Sequence, residues 1–333
     1  MQIASAFLMG TKIKEIDVPA NPWSEMTAYP NTSGAYIKKS GASYNGRLYM
    51  IAGNGGSVAQ GVATSMVMKV YNGSSWSDAV TIQVPAYGGA DWYLTPGDSV
   101  MCTYQGRLYI FAGKLADYGA GGQANCWVFD GTTATFKSQD SQGNSFPKVH
   151  QACVKDDKLY LFALRAQGSA WAPVYRWDVY EYNGTTDIIQ QVATEICVGL
   201  QGLQNITSRV NVLNGKFHVI DGTAHWIIND DWTYSALTAV PVGATNSIVY
   251  KGKLHAFGAG EGTSPYAKNH QIYNAGNDTW SVGENIPYSL SAIGYNGYAE
   301  TLPIIHKNKI WLLGSNQTLG YNALYDEIYR YNR

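Results

Sequence analysis

The chain has 333 residues, 23 Lys and Arg against 24 Asp and Glu, and a formal net charge of -1. That balance excludes the basic footprint of a nucleic-acid binder and the polybasic patch of an anionic-membrane binder. No run approaches the roughly 18 apolar residues of a helical span, so membrane insertion is not expected. Charged residues are only 14%, while Tyr (25), Gly (36) and Trp (10) are plentiful. The surface must therefore be built largely from Asn, Ser, Thr, Gly, Gln and Tyr, which hydrogen-bond and stack rather than attract by charge.

In chain order, "MQIASAFLMG" has a short apolar run without a basic n-region and is expected to be structure, not an export signal. "TKIKEIDVP" (11–19) reads as a strand ending in Val-Pro, and 21–34 as a loop carrying Trp23. At residue 44 "YNGRLYMIAG" joins an Asn-Gly hairpin signal to a strand. Its relatives are "YQGRLYIFAG" at 104, "KDDKLYLFAL" at 155, "LNGKFHVIDG" at 213, "YKGKLHAFGA" at 250 and "HKNKIWLLGS" at 306. Successive copies lie 37 to 60 positions apart, and a period near 50 is that of a four-stranded propeller blade. A second signature follows, an aromatic, a polar turn and often Trp: "VYNGSSW" (70–76), "VFDGTTATF" (128–136), "EYNGTTDII" (181–189), "IINDDW" (227–232) and "IYNAGNDTW" (272–280). Apolar-Pro pairs then close the fourth strands at Val84-Pro85, Phe146-Pro147, Val240-Pro241 and Ile286-Pro287, where a missing N–H costs least at an outer edge.

The last copy ends at "DEIYRYNR", one strand short. Residues 11–19 are expected to supply that outer strand, which closes the ring and makes 1–333 one domain. The expected fold is all-β: a six-bladed β-propeller of four-stranded antiparallel blades. The fourth block is short, and its blade is expected to be minimal or irregular.

These two signatures resemble the kelch-type β-propellers over nearly the whole chain. The usual diglycine after the second strand is reduced to one Gly, as at Gly53 and Gly113, and is missing in "LFAL". The resemblance implies that the second-to-third and blade-to-blade loops emerge on one face, and function tends to sit on such loops. Here they carry Trp23, Trp92, Tyr93, Tyr118, Trp171, Tyr175, Tyr266, Tyr295 and Tyr321. A ligand-binding set of Trp92, Tyr93, Tyr118, Trp171, Tyr175, Arg176, Tyr266, His270 and Tyr321 is expected on that face. Flat rings beside Asn, Gln and Asp suit a glycan or a protein hot spot.

Every first turn is followed by a basic residue: Arg47, Arg107, Lys158, Lys216, Lys253 and Lys309. These are expected as solvated corner charges on the opposite face. Cys102, Cys126, Cys153 and Cys197 form no CxxC pair. Cys102 and Cys153 share a repeat position with Ala42, Asn211, Ile248 and Ile304, and Cys126 shares one with Met68 and Val179, so inert packing thiols are expected. His218 and His255 stand where other copies have Tyr or Trp and read as structural. His150, His225 and His270 are expected on the loop face, with Asp91, Asp98, Asp117, Glu261 and Glu300 as candidate carboxylates there. No metal, cofactor or catalytic set is expected.

Galactose-oxidase-like relatives of the kelch class use a copper site of two Tyr, two His and a cross-linked Cys, a set that nothing here marks. Sialic-acid mutarotases have six such blades without an obligatory metal, but usually an export signal. The expected function is non-enzymatic recognition or structure: a phage tail or related particle component that is made in the cytosol, becomes virion-associated or extracellular, and contacts other particle subunits and a surface glycan or protein receptor. The alternatives are a carbohydrate-active enzyme, using an Arg such as Arg165, Arg176 or Arg209, or an intracellular protein-binding scaffold.

Overall fold

The computed structural model describes residues 23–27, 37–54, 65–83, 99–113, 123–169, 172–200, 209–244, 246–258, 269–286, 302–313, 316–317, 324–325 and 328–332. Their regular structure is all β, in six antiparallel blades. Blade 1 is Ile37–Tyr44, Arg47–Asn54, Ser65–Tyr71 and Trp76–Gln83, paired in chain order from the inner strand outward. Blade 2 is Val100–Tyr104, Arg107–Gly113 and Gln123–Phe129, with Ala134–Lys137 and Phe146–Pro147 both pairing with the third strand. Blade 3 is Val149–Lys155, Lys158–Ser169, Ala172–Asn183 and Ile188–Leu200. Blade 4 is Arg209–Leu213, Lys216–Asp221, Ala224–Ile228 and Tyr234–Ala236, and blade 5 is Asn246–Tyr250, Lys253–Phe257, His270–Asn274 and Thr279–Val282. Blade 6 is Leu302–His306, Lys309–Leu313, Ile328–Tyr331 and, from the N-terminal side, Trp23–Met26. Each inner strand neighbours the next around a closed ring.

The closing strand is Trp23–Met26, with Trp23 opposite Tyr331 and Met26 opposite Ile328. Residues 11–19, to which the Val-Pro ending assigned that place, lie outside the described residues. What holds Trp23 there is packing: it is 4% exposed and stands 4.8 Å from the Tyr331 ring. Trp23 is thus a core residue and not a loop-face aromatic. Blade 4 has all four strands. Its block is short because its second and third strands turn within Gly222-Thr223, with Gly222 at φ +59°.

The repeated turn explains the repeated text. All six first hairpins are two-residue turns with φ positive at both residues: Asn45-Gly46, Gln105-Gly106, Asp156-Asp157, Asn214-Gly215, Lys251-Gly252 and Lys307-Asn308. This is the turn type whose twist matches paired strands. The basic residues after these turns are surface groups. Lys158 pairs with Glu181 at 3.0 Å and Lys216 with Asp230 at 3.1 Å, while Arg47 and Arg107 are exposed.

Among the described residues the core is not one mass but six clusters, one in each seam between blades. In the seam of blades 1 and 2, Ile51, Met66, Met68 and Ile82 meet Leu108, Ile110, Trp127 and Phe129. In that of blades 5 and 6, Phe257 and Ile286 meet Trp23, Ile310, Leu312 and Tyr331. Two hydrogen bonds recur across seams. Tyr at the end of an inner strand donates to the next blade's turn: Tyr44 to the Gly106 carbonyl (3.0 Å), Tyr104 to Asp157 (3.1 Å) and Tyr250 to Asn308 (2.9 Å). Trp donates through Nε1 to a carbonyl at the end of the preceding blade's outer strand: Trp76 to Thr27 (3.1 Å), Trp127 to Gln83 (3.2 Å), Trp280 to Thr238 (2.9 Å) and Trp23 to Glu284 (3.4 Å). Between blades 2 and 3 the tie is Asp140. It is buried and accepts from the amides of Gln142, Asn144 and Ile189 and from Asn144 Nδ2, all within 2.8–2.9 Å.

Candidate functional site

The two faces of the ring differ. One carries the six two-residue turns. The other carries the second-to-third and blade-to-blade connections, which range from the two residues after Asp221 to the 19 between Val282 and Leu302. In blade 3 this face is extended by strand. The sequence reads 165–177 as a loop, but Lys158–Ser169 and Ala172–Asn183 stay paired to Ser169–Ala172. Ile188–Leu200 follows alongside with register shifts. These strands run 12 to 13 residues, against 2 to 8 in the other sheets, so the arm reaches beyond its neighbours by roughly 15–20 Å at 3.3 Å per residue. The sequence marks it only by "ALRAQGSAWAPVYRW", where Gly and Pro imitate a loop.

At the base of the arm, Arg176 Nη1 pairs with Glu195 Oε1 at 2.5 Å. Glu195 is held at φ +60°, a left-handed conformation uncommon for Glu, and its amide donates to Asp178 Oδ1 at 3.3 Å. A second polar group lies where the inner strands of blades 4 and 5 begin. Arg209 Nε donates to Asn246 Oδ1 at 2.5 Å, and Asn211 Nδ2 to Ser247 Oγ at 2.7 Å. Asn246 is 1% and Gln271 3% exposed, and Asn246 Nδ2 and Gln271 Oε1 have no hydrogen-bond partner among the described residues. Such buried polar atoms ordinarily engage solvent or a ligand. Asn246 and Gln271 carried no signal in the sequence, because a polar residue at a strand start looks like turn composition.

Of the residues expected to bind, Trp92, Tyr93, Tyr118, Trp171, Tyr266 and Tyr321 lie outside the described residues, as do Tyr295 and the five candidate carboxylates. Tyr175 falls within the arm's third strand, opposite Ala166, instead of in a loop. Arg176 stands at the arm's base, as above. His270 is not on the loop face. It is fully buried, with its Nε2 2.8 Å from His255 Nδ1 and its Nδ1 3.2 Å from the Glu284 carbonyl. His225 is buried likewise, 3.0 Å from His218 Nδ1 through Nε2 and 3.4 Å from the Thr238 carbonyl through Nδ1. His150 is 7% exposed and lies edge-on to Trp177. The physical reason is the register. His225 and His270 head their third strands diagonally across from His218 and His255, which puts both rings of each pair in one seam. The expectation that His218 and His255 are structural holds.

Burial sets the electrostatics of these pairs. It pushes His218 down to about 4 and His270 to about 4; with the neighbouring imidazole adding to it, His225 falls to about 4 and His255 to about 3. The rings are thus neutral at pH 7. Burial also raises the Cys102 thiol to about 12, and those of Cys126 and Cys153 well above the ordinary range, so at pH 7 all three are protonated packing groups. No group of three or more His, Cys, Asp or Glu able to hold a metal occurs among the described residues.

No protein-family model and no curated protein matches the chain. Solved structures do. The structure of YjhT superposes with a TM-score of 0.59 over 91% of this chain and 95% of that one, at 11% identity. A novel fungal alcohol oxidase with catalytic diversity among the AA5 family, in complex with copper, superposes with a TM-score of 0.53 over 93% of this chain and 76% of that one, at 10% identity. Identities this low speak for the fold alone. Six antiparallel blades, one turn type repeated at every inner hairpin and these neighbours together make the chain a six-bladed β-propeller.

Proposed function

We propose that this propeller is a recognition module that binds a cell-surface glycan or protein through its loop face. The observation that supports this reading is the asymmetry of the two faces. The six inner hairpins on one face are all two-residue turns of one type, while the widest variation in connection length, and the blade 3 arm, falls on the other. A ring latched at its seams supplies the rigid support, and the aromatic-rich connections supply the contact. The setting we favour is a particle component of the phage-tail kind, on the strength of the low charge and the abundance of Tyr, Gly and Trp. The histidines and cysteines with described side chains, the groups best suited to acid–base or nucleophilic work, are engaged in packing.

A second reading is a carbohydrate-active enzyme. It draws on the likeness to a copper-bound alcohol oxidase and on the polar group at Arg209, Asn246 and Gln271. Both readings are tested by incubating the labelled protein with a glycan array and with bacterial surfaces, and in parallel following free sialic acid and galactose for mutarotation or oxidation, with and without copper. Recognition predicts saturable binding without turnover. Turnover of either sugar would overturn it in favour of the enzyme.

A further inference from the structure

The two histidine pairs occupy one repeat position in consecutive blades. In both, the first His stands two residues after the basic corner residue and the second three residues before an aromatic or aliphatic residue of the third strand. Elsewhere these two places hold Tyr49 and Met68, Tyr109 and Cys126, Tyr160 and Val179, and Trp311 and Ile328. Blades 4 and 5 thus carry titratable groups where the other four blades carry none that ionises near neutrality.

The pair in blade 5 sits at the joint of the ring. His270 lies 6.0 Å from the Trp23 ring and 5.4 Å from the Tyr331 ring. Trp23 and Tyr331 belong to the two strands in which the N-terminal and C-terminal parts of the chain meet. The Glu284 carbonyl accepts from both His270 Nδ1 and Trp23 Nε1, and the Glu284 carboxylate accepts from Tyr331 Oη at 2.6 Å. Three blade elements therefore converge on one imidazole. The backbone at Gly283 lies close against the ring: a Cβ added there would stand 2.5 Å from His270 Nδ1.

A neutral imidazole has one N–H. With His270 Nδ1–H donated to the Glu284 carbonyl, its Nε2 must accept from His255 Nδ1–H. A second proton on His270 has only the His255 contact to enter, and there it sets two donors face to face. Among the described residues, few charged or hydrogen-bonding groups face the pair. Lys253 on the pair's own blade opposes the added charge, while the Tyr250 backbone and the Glu284 carboxylate favour it. From blade 6 the pair meets the Tyr331 and Trp23 rings, which bring no ionised group.

We propose that the seam between blades 5 and 6 is an acid-labile clasp, in which protonation of the His255–His270 pair releases the strands Trp23–Met26 and Ile328–Tyr331 and opens the ring at its closure.

Hydrogen exchange read by mass spectrometry, on the full chain at pH 7.5 and pH 4.5 and corrected for intrinsic rates, tests this. Peptides covering 23–26 and 328–331 are expected to open about 10- to 100-fold more readily at the acidic pH, with 107–113 in blade 2 changing much less. In His255→Tyr/His270→Met, which installs the blade 1 pair, the acid effect at the closing strands is expected to fall to that of blade 2. Uniform change across all blades, no change at the closing strands, or an acid effect undiminished in the variant would each overturn the clasp. Should the variant fail to fold, the wild-type contrast between the closing strands and blade 2 decides alone.

Discussion

The seams on either side of the ring share their latches and differ in their filling. Between blades 1 and 2, Tyr44 and Trp127 make the recurring hydrogen bonds, and Tyr49 and Met68 fill the seam. Between blades 5 and 6, Tyr250 and Trp23 make the same bonds, and His255 and His270 fill the matching places. The first seam is held by dispersion and burial, which do not depend on pH. The second is held partly by a hydrogen bond between two buried rings, which is lost when both carry a second proton. One scaffold position thus tolerates two kinds of chemistry, and the ring acquires an acid-stable side and an acid-sensitive one.

The strongest break of this comparison is Trp127→Ala. It empties a fully buried indole site in the first seam and removes the bond to Gln83, so a loss of about 3–5 kcal/mol is expected at any pH, read by denaturant unfolding. Next in size is the acid response of the second side. The folded pKa values of the paired histidines lie below the unfolded value near 6.5, so the unfolded chain takes up more protons. Stability is therefore full above about pH 6.5 and falls as pH drops toward 4. A loss on the order of 2–3 kcal/mol per histidine is expected by pH 4.5. Thermal melts of His218→Tyr/His225→Met should recover roughly half of the total loss; an unchanged pH profile in that variant would count against the assignment.

Smaller effects sharpen the picture of the latches. Asp140→Ala strands three amides between blades 2 and 3, with an expected cost of about 2 kcal/mol. Hydrogen bonding depresses the Asp140 carboxyl below its ordinary value despite its burial, so this contribution is present at neutral pH and fades only in strong acid. Tyr44→Phe removes one bond to the Gly106 carbonyl and should cost about 1 kcal/mol, measurable as a shift in denaturant midpoint without a change in slope.

The architecture was legible because the repeat writes its own geometry. Asn45-Gly46 and its relatives demand positive φ, the alternation after them demands strand, and spacing near 50 demands a blade. The closing strand was less so. Val18-Pro19 matched the local pattern of a fourth strand, whereas Trp23 holds its place through a partner more than 300 residues away, which no local rule reports. From sequence alone His270 falls on the loop face, because it follows a long connection. Its burial depends on a diagonal partner, His255, that only the pairing register brings near. The blade 3 arm escaped because Gly168 and Pro173 look like loop residues, yet lie opposite each other in a ladder. Non-repeating stretches such as 86–98 and 260–268 carry composition but no period, and from them a sequence gives the kind of contact without its shape.

The proposed recognition function assigns binding to the loop face and not to the turn face. Binding to the target cell or glycan, measured side by side for Trp92→Ala/Tyr93→Ala and for Arg47→Ala/Arg107→Ala, tests it most directly. At least about a tenfold loss is expected for the first variant, in line with aromatic hot spots, and binding within about twofold of wild type for the second, with both variants melting as the wild type does. Binding that survives the first and is lost in the second would contradict it.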